Sequence, residues 1–245
     1  MTPNVRYFFD KQTFADTPID CRYAPRADQG ARLHSEDQAL ALILDLGAGC
    51  ALRESLEGYR AALGGQAVCS SKIEDRVGRN FRTVIVPGAG SMDPGTVRVL
   101  RELLGLGTNV LVESAGGFLS GEECAVHQRT LREAFGLMIG RPVDLWPGAG
   151  TIPYVNYSWP RAAMVRDFSR AVPVSAADHQ IIARSGRLPL ASRGRVGKGL
   201  LIFVGSPMGP ALGAGDPEGR QWLAALASDL GRSHSGLFLN SYASA

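Results

Sequence analysis

Four short turns carry most of the polar chemistry this chain offers: Gly47–Gly49, Gly88–Ser91, Ser114–Gly117 and Gly205–Met208. Each joins glycine to small or hydroxylated residues. Glycine tolerates positive φ and lets backbone N–H groups come close to a ligand. Together with the hydroxyls of Ser91, Ser114 and Ser206, such N–H groups suit a carboxylate, a phosphate or a carbonyl oxygen. Gly88, Ala89, Gly90, Ser91, Gly116, Gly117 and Ser206 are therefore the candidate ligand-binding residues. Tight strand-to-helix turns also need glycine for their own geometry. The binding reading thus depends on all four turns lying on one edge of a sheet.

The titratable residues add little that is organised. His34 and His234 fall in the terminal segments. His127 shares a helical stripe with Cys124, Leu131 and Phe135, which points it into a core. Cys124 and His127 also have the spacing of a metal pair, but no further ligands accompany them, so no metal is assigned. His179 follows Asp178 at the start of a strand, where it is either a usable base or an ordinary surface histidine. Glu113 alternates to the opposite side of its strand from Ser114 and is either a buried acid or an ion-pair partner. The four cysteines (Cys21, Cys50, Cys69, Cys124) form no C-x-x-C pair and suggest neither zinc nor disulfides. Cys50, after the first turn, is either a small buried residue or a thiol with a lowered pKa. Gly47-Ala48-Gly49 opens like a dinucleotide fingerprint, but Leu52 replaces the third glycine and no acid follows Cys69-Ser70-Ser71. No cofactor is expected.

The elements that must hold these turns can be read from periodicity. Ala39–Leu46 is an apolar run interrupted only by Asp45, as expected of a strand buried on both faces. A helix follows through Leu52, Leu56, Tyr59 and Leu63, closed by Gly64-Gly65. Strands are expected at Ala67–Ser70, Thr83–Val86 and Thr108–Glu113. Asp93-Pro94 reads as an N-cap with proline in the first helical position, and Ser120 with Glu123 as a capping box. Alternation of strand and helix from 39 to 135 predicts a parallel sheet. Five prolines break up 140–178, read as loops with one short strand near Tyr154–Tyr157. Ile181–Arg184, Leu188–Ser192 and Leu200–Val204 predict a β-meander. Asp216-Pro217 starts a last helix, which Gly231 is expected to stop.

The stretches Val84–Gly90, Asn109–Gly117 and Gly197–Met208 resemble the class I glutamine amidotransferase-like superfamily, nearest to the N-terminal domain of some biotin–protein ligases. The resemblance implies an α/β, flavodoxin-like parallel sheet sandwiched by helices, ending in the meander. It also implies oxyanion donors at Gly88–Gly90. The family's cysteine nucleophile and its His-Pro-Glu are replaced by Ser114 and by Ser206-Pro207-Met208, so no glutaminase activity is expected. Ser114-Ala115-Gly116 is similar to the serine turn of the peptidase E and cyanophycinase hydrolases. That likeness implies an alternative in which Ser114 is the nucleophile and His179 its base.

The expected organisation is an arm over 1–38, one domain over 39–231 and a tail over 232–245. With 245 residues and a net charge of +3, spread without like-charge runs, the chain suits a globular protein that binds no nucleic acid. No segment reaches the ~20 apolar residues of a membrane helix, and the first residues lack a secretory pattern. The expectation is a cytoplasmic protein whose partner is a small molecule or another protein.

Overall fold

A computed structural model describes residues 41–73, 81–146, 152–168, 170–175 and 177–235. The expected arm and most of the expected tail lie outside these residues.

Strand β1 (Ala41–Leu44) is flanked in parallel by β2 (Ala67–Ser70) and β3 (Thr83–Ala89). The parallel run continues from β3 to β4 (Asn109–Ser114), and from β4 to β13 (Gly199–Val204). β1, β3 and β13 are apolar at nearly every position, as is the middle of β4, because both faces are covered. Ala41, Ile43, Ile85 and Leu111 enter one core. Leu42, Val84, Val86, Val110 and Val112 enter the other.

The first core is roofed by α1 (Arg53–Leu63), the short α4 (Gly209–Gly213) and α5 (Pro217–Ser235). Leu56, Tyr59, Trp222, Leu223 and Leu226 fill it, and the Tyr157 and Trp222 rings pack with centroids 4.8 Å apart. The second core is roofed by α2 (Pro94–Leu106) and α3 (Gly121–Phe135). Local chemistry sets both ends of these two helices. Asp93 accepts the Thr96 N–H at 3.0 Å ahead of Pro94, and Ser120 with Glu123 forms the capping box. Gly107, at φ 111°, ends α2 in a conformation that side chains resist.

The sheet is larger and less uniform than the parallel sandwich expected. It has nine strands in the order β2-β1-β3-β4-β13-β12-β11-β7-β8. From β13 onward the pairing is antiparallel through β12 (Leu188–Val196), β11 (Gln180–Ser185), β7 (Tyr154–Tyr157) and β8 (Ala163–Arg166). The meander is therefore part of the main sheet. The segment read as loops with one short strand holds that strand as β7, and adds β8 and parts of two small ribbons. In these, β5 (Met138–Ile139) pairs with β10 (Val174–Ser175), and β6 (Val143–Asp144) with β9 (Arg170–Ala171). Helix α5 runs through Gly231 to Ser235 instead of stopping there. A glycine inside a helix costs only ~1 kcal/mol relative to alanine, which tertiary packing readily overrides.

Candidate functional site

Strand direction brings three of the four turns together at the carboxyl edge, where they bond to one another. Ala89 pairs with Ser114 and bridges to Cys50. The N–H groups of Gly90 and Ser91 both donate to the Gly49 carbonyl, at 2.8 and 2.9 Å. The Ala115 N–H donates to the Ala89 carbonyl, and the Gly116 N–H to Ser114 Oγ at 3.1 Å. The N–H groups of Gly90, Ser91 and Gly116 are thus spent inside the protein, while the Ser91 side chain stays exposed.

A strap that includes residues 167, 168 and 170–175 then closes the edge. Val172 N–H donates to the Gly205 carbonyl at 2.8 Å, and Ala171, Val172 and Val174 are buried. The approach is so close that a Cβ on Gly205 would lie 2.1 Å from the Val172 carbonyl oxygen. One on Gly117 would lie 2.4 Å from that of Arg170. Ser206, in the fourth turn, gives its hydroxyl proton to the buried Asp167 carboxylate of the strap. The shallow polar pocket expected among the turns is therefore filled with protein.

Ser114 is fully buried, and its partner is His127, not His179. Ser114 Oγ and His127 Nε2 share a hydrogen bond of 2.8 Å, while His127 Nδ1 has no partner among the described residues. Burial lowers the His127 pKa to about 4. A nucleophile–base pair needs both access and an acid to orient the base; here access is closed and the second nitrogen is orphaned. His179 sits elsewhere, with Nδ1 3.4 Å from Ser192 Oγ and its ring pressed against Gly194. The pairing of Ser114 with His179 is corrected accordingly. His127 was legible as a core residue from its helical stripe, but its serine partner was not.

On the opposite side of the strand, Glu113 is the residue the turns converge upon. It is fully buried and accepts N–H groups from Met208 at 2.7 Å, Gly209 at 3.0 Å and Gly88 at 3.3 Å. Burial pushes its pKa above the ordinary carboxylate range, against the pull of the Ser55 hydroxyl, the Gly209 and Met208 N–H groups and the Tyr59 hydroxyl. Of the two sequence readings, buried acid is the one observed. Cys50 is no activated thiol either: burial raises its pKa, and its sulfur lies 3.4 Å from the Leu52 carbonyl. Among the described residues no cluster of histidine, cysteine and carboxylates is fit to hold a metal ion. Nor is any helix long and apolar enough to cross a membrane.

No family model matches the chain, and no curated protein does. Solved structures of like fold are found among glycosidases. A β-galactosidase from Bacillus circulans sp. alkalophilus has a TM-score of 0.59 at 18% identity, over 80% of this chain and 31% of that one. The exo-β-1,4-mannosidase Op5Man5 from Opitutaceae bacterium strain TAV5 scores 0.55 at 13% identity, over 78% and 36%. A cytoplasmic protein from Salmonella typhimurium LT2 scores 0.56 at 10% identity, over 72% and 86%. The chain thus spans about a third of the length of the glycosidases it matches, and identities this low establish likeness of fold alone. These neighbours overturn the amidotransferase resemblance. With it go the ligand-binding amidotransferase-like reading and the serine-hydrolase alternative.

Proposed function

We propose that this chain is a packed assembly domain, of a fold that also forms part of glycosidases, and that it supplies structure and a contact surface without carrying out a reaction. The observation behind this reading is the seal at the carboxyl edge. Where an open α/β sheet ordinarily receives its ligand, the strap lies directly on the turns through Arg170 and Val172. Glycoside hydrolysis generally requires two carboxyl groups facing one sugar across an accessible site. Glu113 and Asp167 are buried, hydrogen-bonded carboxylates, and neither faces solvent. The like-folded portion makes up about a third of the β-galactosidase and the mannosidase, which supports a role as one component of a larger machine. In the parallel half, the order β2-β1-β3-β4 followed by β13 supports a flavodoxin-like reading of that half alone. A cytoplasmic setting is part of the proposal and is supported by the Salmonella protein. The test is turnover of chromogenic β-galactoside, β-mannoside and α-fucoside by the purified chain. None is expected. Turnover abolished by Glu113→Gln or Asp167→Asn would overturn the reading.

A further inference from the structure

Helix α3 turns two different faces to its surroundings. Cys124, His127, Leu131 and Phe135 are buried, while Ala125, Gln128, Arg129 and Arg132 recur at i, i+3, i+4 and i+7 on another face. With Met138 and Ile139 of β5, these four line a hollow of about 290 Å³. None of the glycine turns at the carboxyl edge contributes to it. Its two walls are fastened to each other. As the chain leaves the helix, the Leu137 N–H donates to the Leu131 carbonyl at 3.3 Å. Gly140 gives its N–H to the Pro173 carbonyl at 2.8 Å, but proline has no N–H to return. The Gln128 amide supplies that donor instead, reaching the Gly140 carbonyl at 3.2 Å.

The charge lining this hollow has one sign. Arg129 and Arg132 are its only ionisable residues, and both are exposed. Neither guanidinium makes a hydrogen bond or an ion pair among the described residues. The carboxylates of α3 lie elsewhere. Glu122 and Glu123 belong to its first turn, about 10 Å along the axis from Arg129. Glu133 lines a separate groove between α2 and α3, with Arg98 and Arg101. The β5–β10 ribbon brings only uncharged Val174 and Ser175 opposite Ile139 and Met138, and the exposed Arg141 follows two residues after Ile139. Because the ladder bonds Gly140 to Pro173, the backbone N–H and carbonyl of Ile139 turn away from β10.

We propose that the hollow between α3 and β5 binds a small organic oxyanion, a phosphate monoester or a carboxylate. Its charged head lies between Arg129 and Arg132, and its apolar body rests against Ala125 and Met138. The proposal goes beyond the assembly reading and does not depend on it. Guanidinium forks grip two oxygens of a carboxylate or phosphate at once. The volume stands at the lower end of the range for small-ligand sites, so it suits a single ring or a short chain. The two sources of the head group differ in charge. A phosphate monoester engages both arginines, whereas a carboxylate is served by one fork.

NMR of the chain labelled with ¹³C at its methionine methyl groups reads the site directly, with the Met138 signal identified through Met138→Leu. Phenyl phosphate and benzoate are titrated at constant ionic strength, with benzyl alcohol as the neutral counterpart. At least one anion is expected to shift the Met138 methyl signal saturably, and benzyl alcohol to bind about tenfold or more weakly than it. Tighter phenyl phosphate assigns a phosphoryl head and tighter benzoate a carboxylate; both orders agree with the proposal. Arg129→Gln combined with Arg132→Gln should weaken the preferred anion about tenfold or more, and Arg132→Lys, which keeps the charge but loses the fork, by less. Arg98→Gln with Arg101→Gln, in the neighbouring groove, should leave the affinity unchanged. Thermal melts establish that the variants are folded. The proposal is overturned if neither anion saturates the Met138 shift, if benzyl alcohol binds as tightly, or if affinity survives loss of Arg129 and Arg132. It is also overturned if the Arg98 and Arg101 changes weaken binding as much. None of these results bears on glycoside turnover, by which the assembly reading stands or falls.

Discussion

The His127 imidazole is held neutral by its surroundings: one nitrogen bonds Ser114 and the other faces no partner among the described residues. Unfolded, it takes a proton near pH 6.5; folded, it does so only at about 4. The neutral ring therefore contributes its full stability above pH 6.5, and that contribution is lost as pH falls toward 4. The difference of pKa corresponds to roughly 3 kcal/mol. Urea unfolding of the wild type and His127→Gln should show their stability gap narrowing across this window. Glu113 is expected to behave in the opposite sense. Its folded pKa is raised from 4.5, so its contribution is present below that value and fades as pH rises through the folded pKa. The gap between the wild type and Glu113→Gln should narrow with increasing pH. Replacing the side chain by leucine would strand the N–H groups of Gly88, Met208 and Gly209, at about 1–3 kcal/mol for each buried donor. A Glu113→Leu variant as stable as the wild type would show that these donors find other acceptors.

At the scale of elements, the strap depends on an absent side chain. Gly205→Ala places a methyl group against the Val172 carbonyl, and because both are backbone-fixed the expected loss is about 3 kcal/mol. Gly105→Ala is the matched control: it lies in α2 with open space where its Cβ would go, and should gain about 0.5–1 kcal/mol. Denaturant midpoints of the two variants should move in opposite directions. This contrast also bears on what the sequence revealed. Signals confined to a few neighbouring residues were legible, including the caps at Asp93 and Ser120, the apolar runs of β1, β3 and β4, and the meander. The strap was not. Val172 meets Gly205 across a long stretch of chain, and the prolines at 153, 160 and 173 hid β8 and both ribbons behind breaker signals. The same blindness gave the wrong picture of the site. Glycines at 88, 90, 116, 117 and 205 were read as room for a ligand, whereas several of them make room for other backbone.

Across the whole molecule, the strand order has a consequence for how the chain is made. β13 lies between β4 and β12, yet among the described residues it is the last strand in the chain. Until it emerges, the apolar edge of β4 has no neighbour on one side, and the antiparallel strands have nothing to join. The sheet is closed from its middle, by a segment that must arrive after everything on either side of it. Such non-local pairing is slow, and it leaves a bare strand edge open to other chains meanwhile. A fragment ending at residue 198 should therefore accumulate in the insoluble fraction when expressed, and supplying residues 199–235 as a separate chain should restore part of it to solution. If the shorter fragment stays soluble and monomeric, the two halves of the sheet are able to stand apart. The strand at the centre of the fold is then a latch fastened after its neighbours on both sides, and the time taken to fasten it sets how long each new copy is exposed to its neighbours.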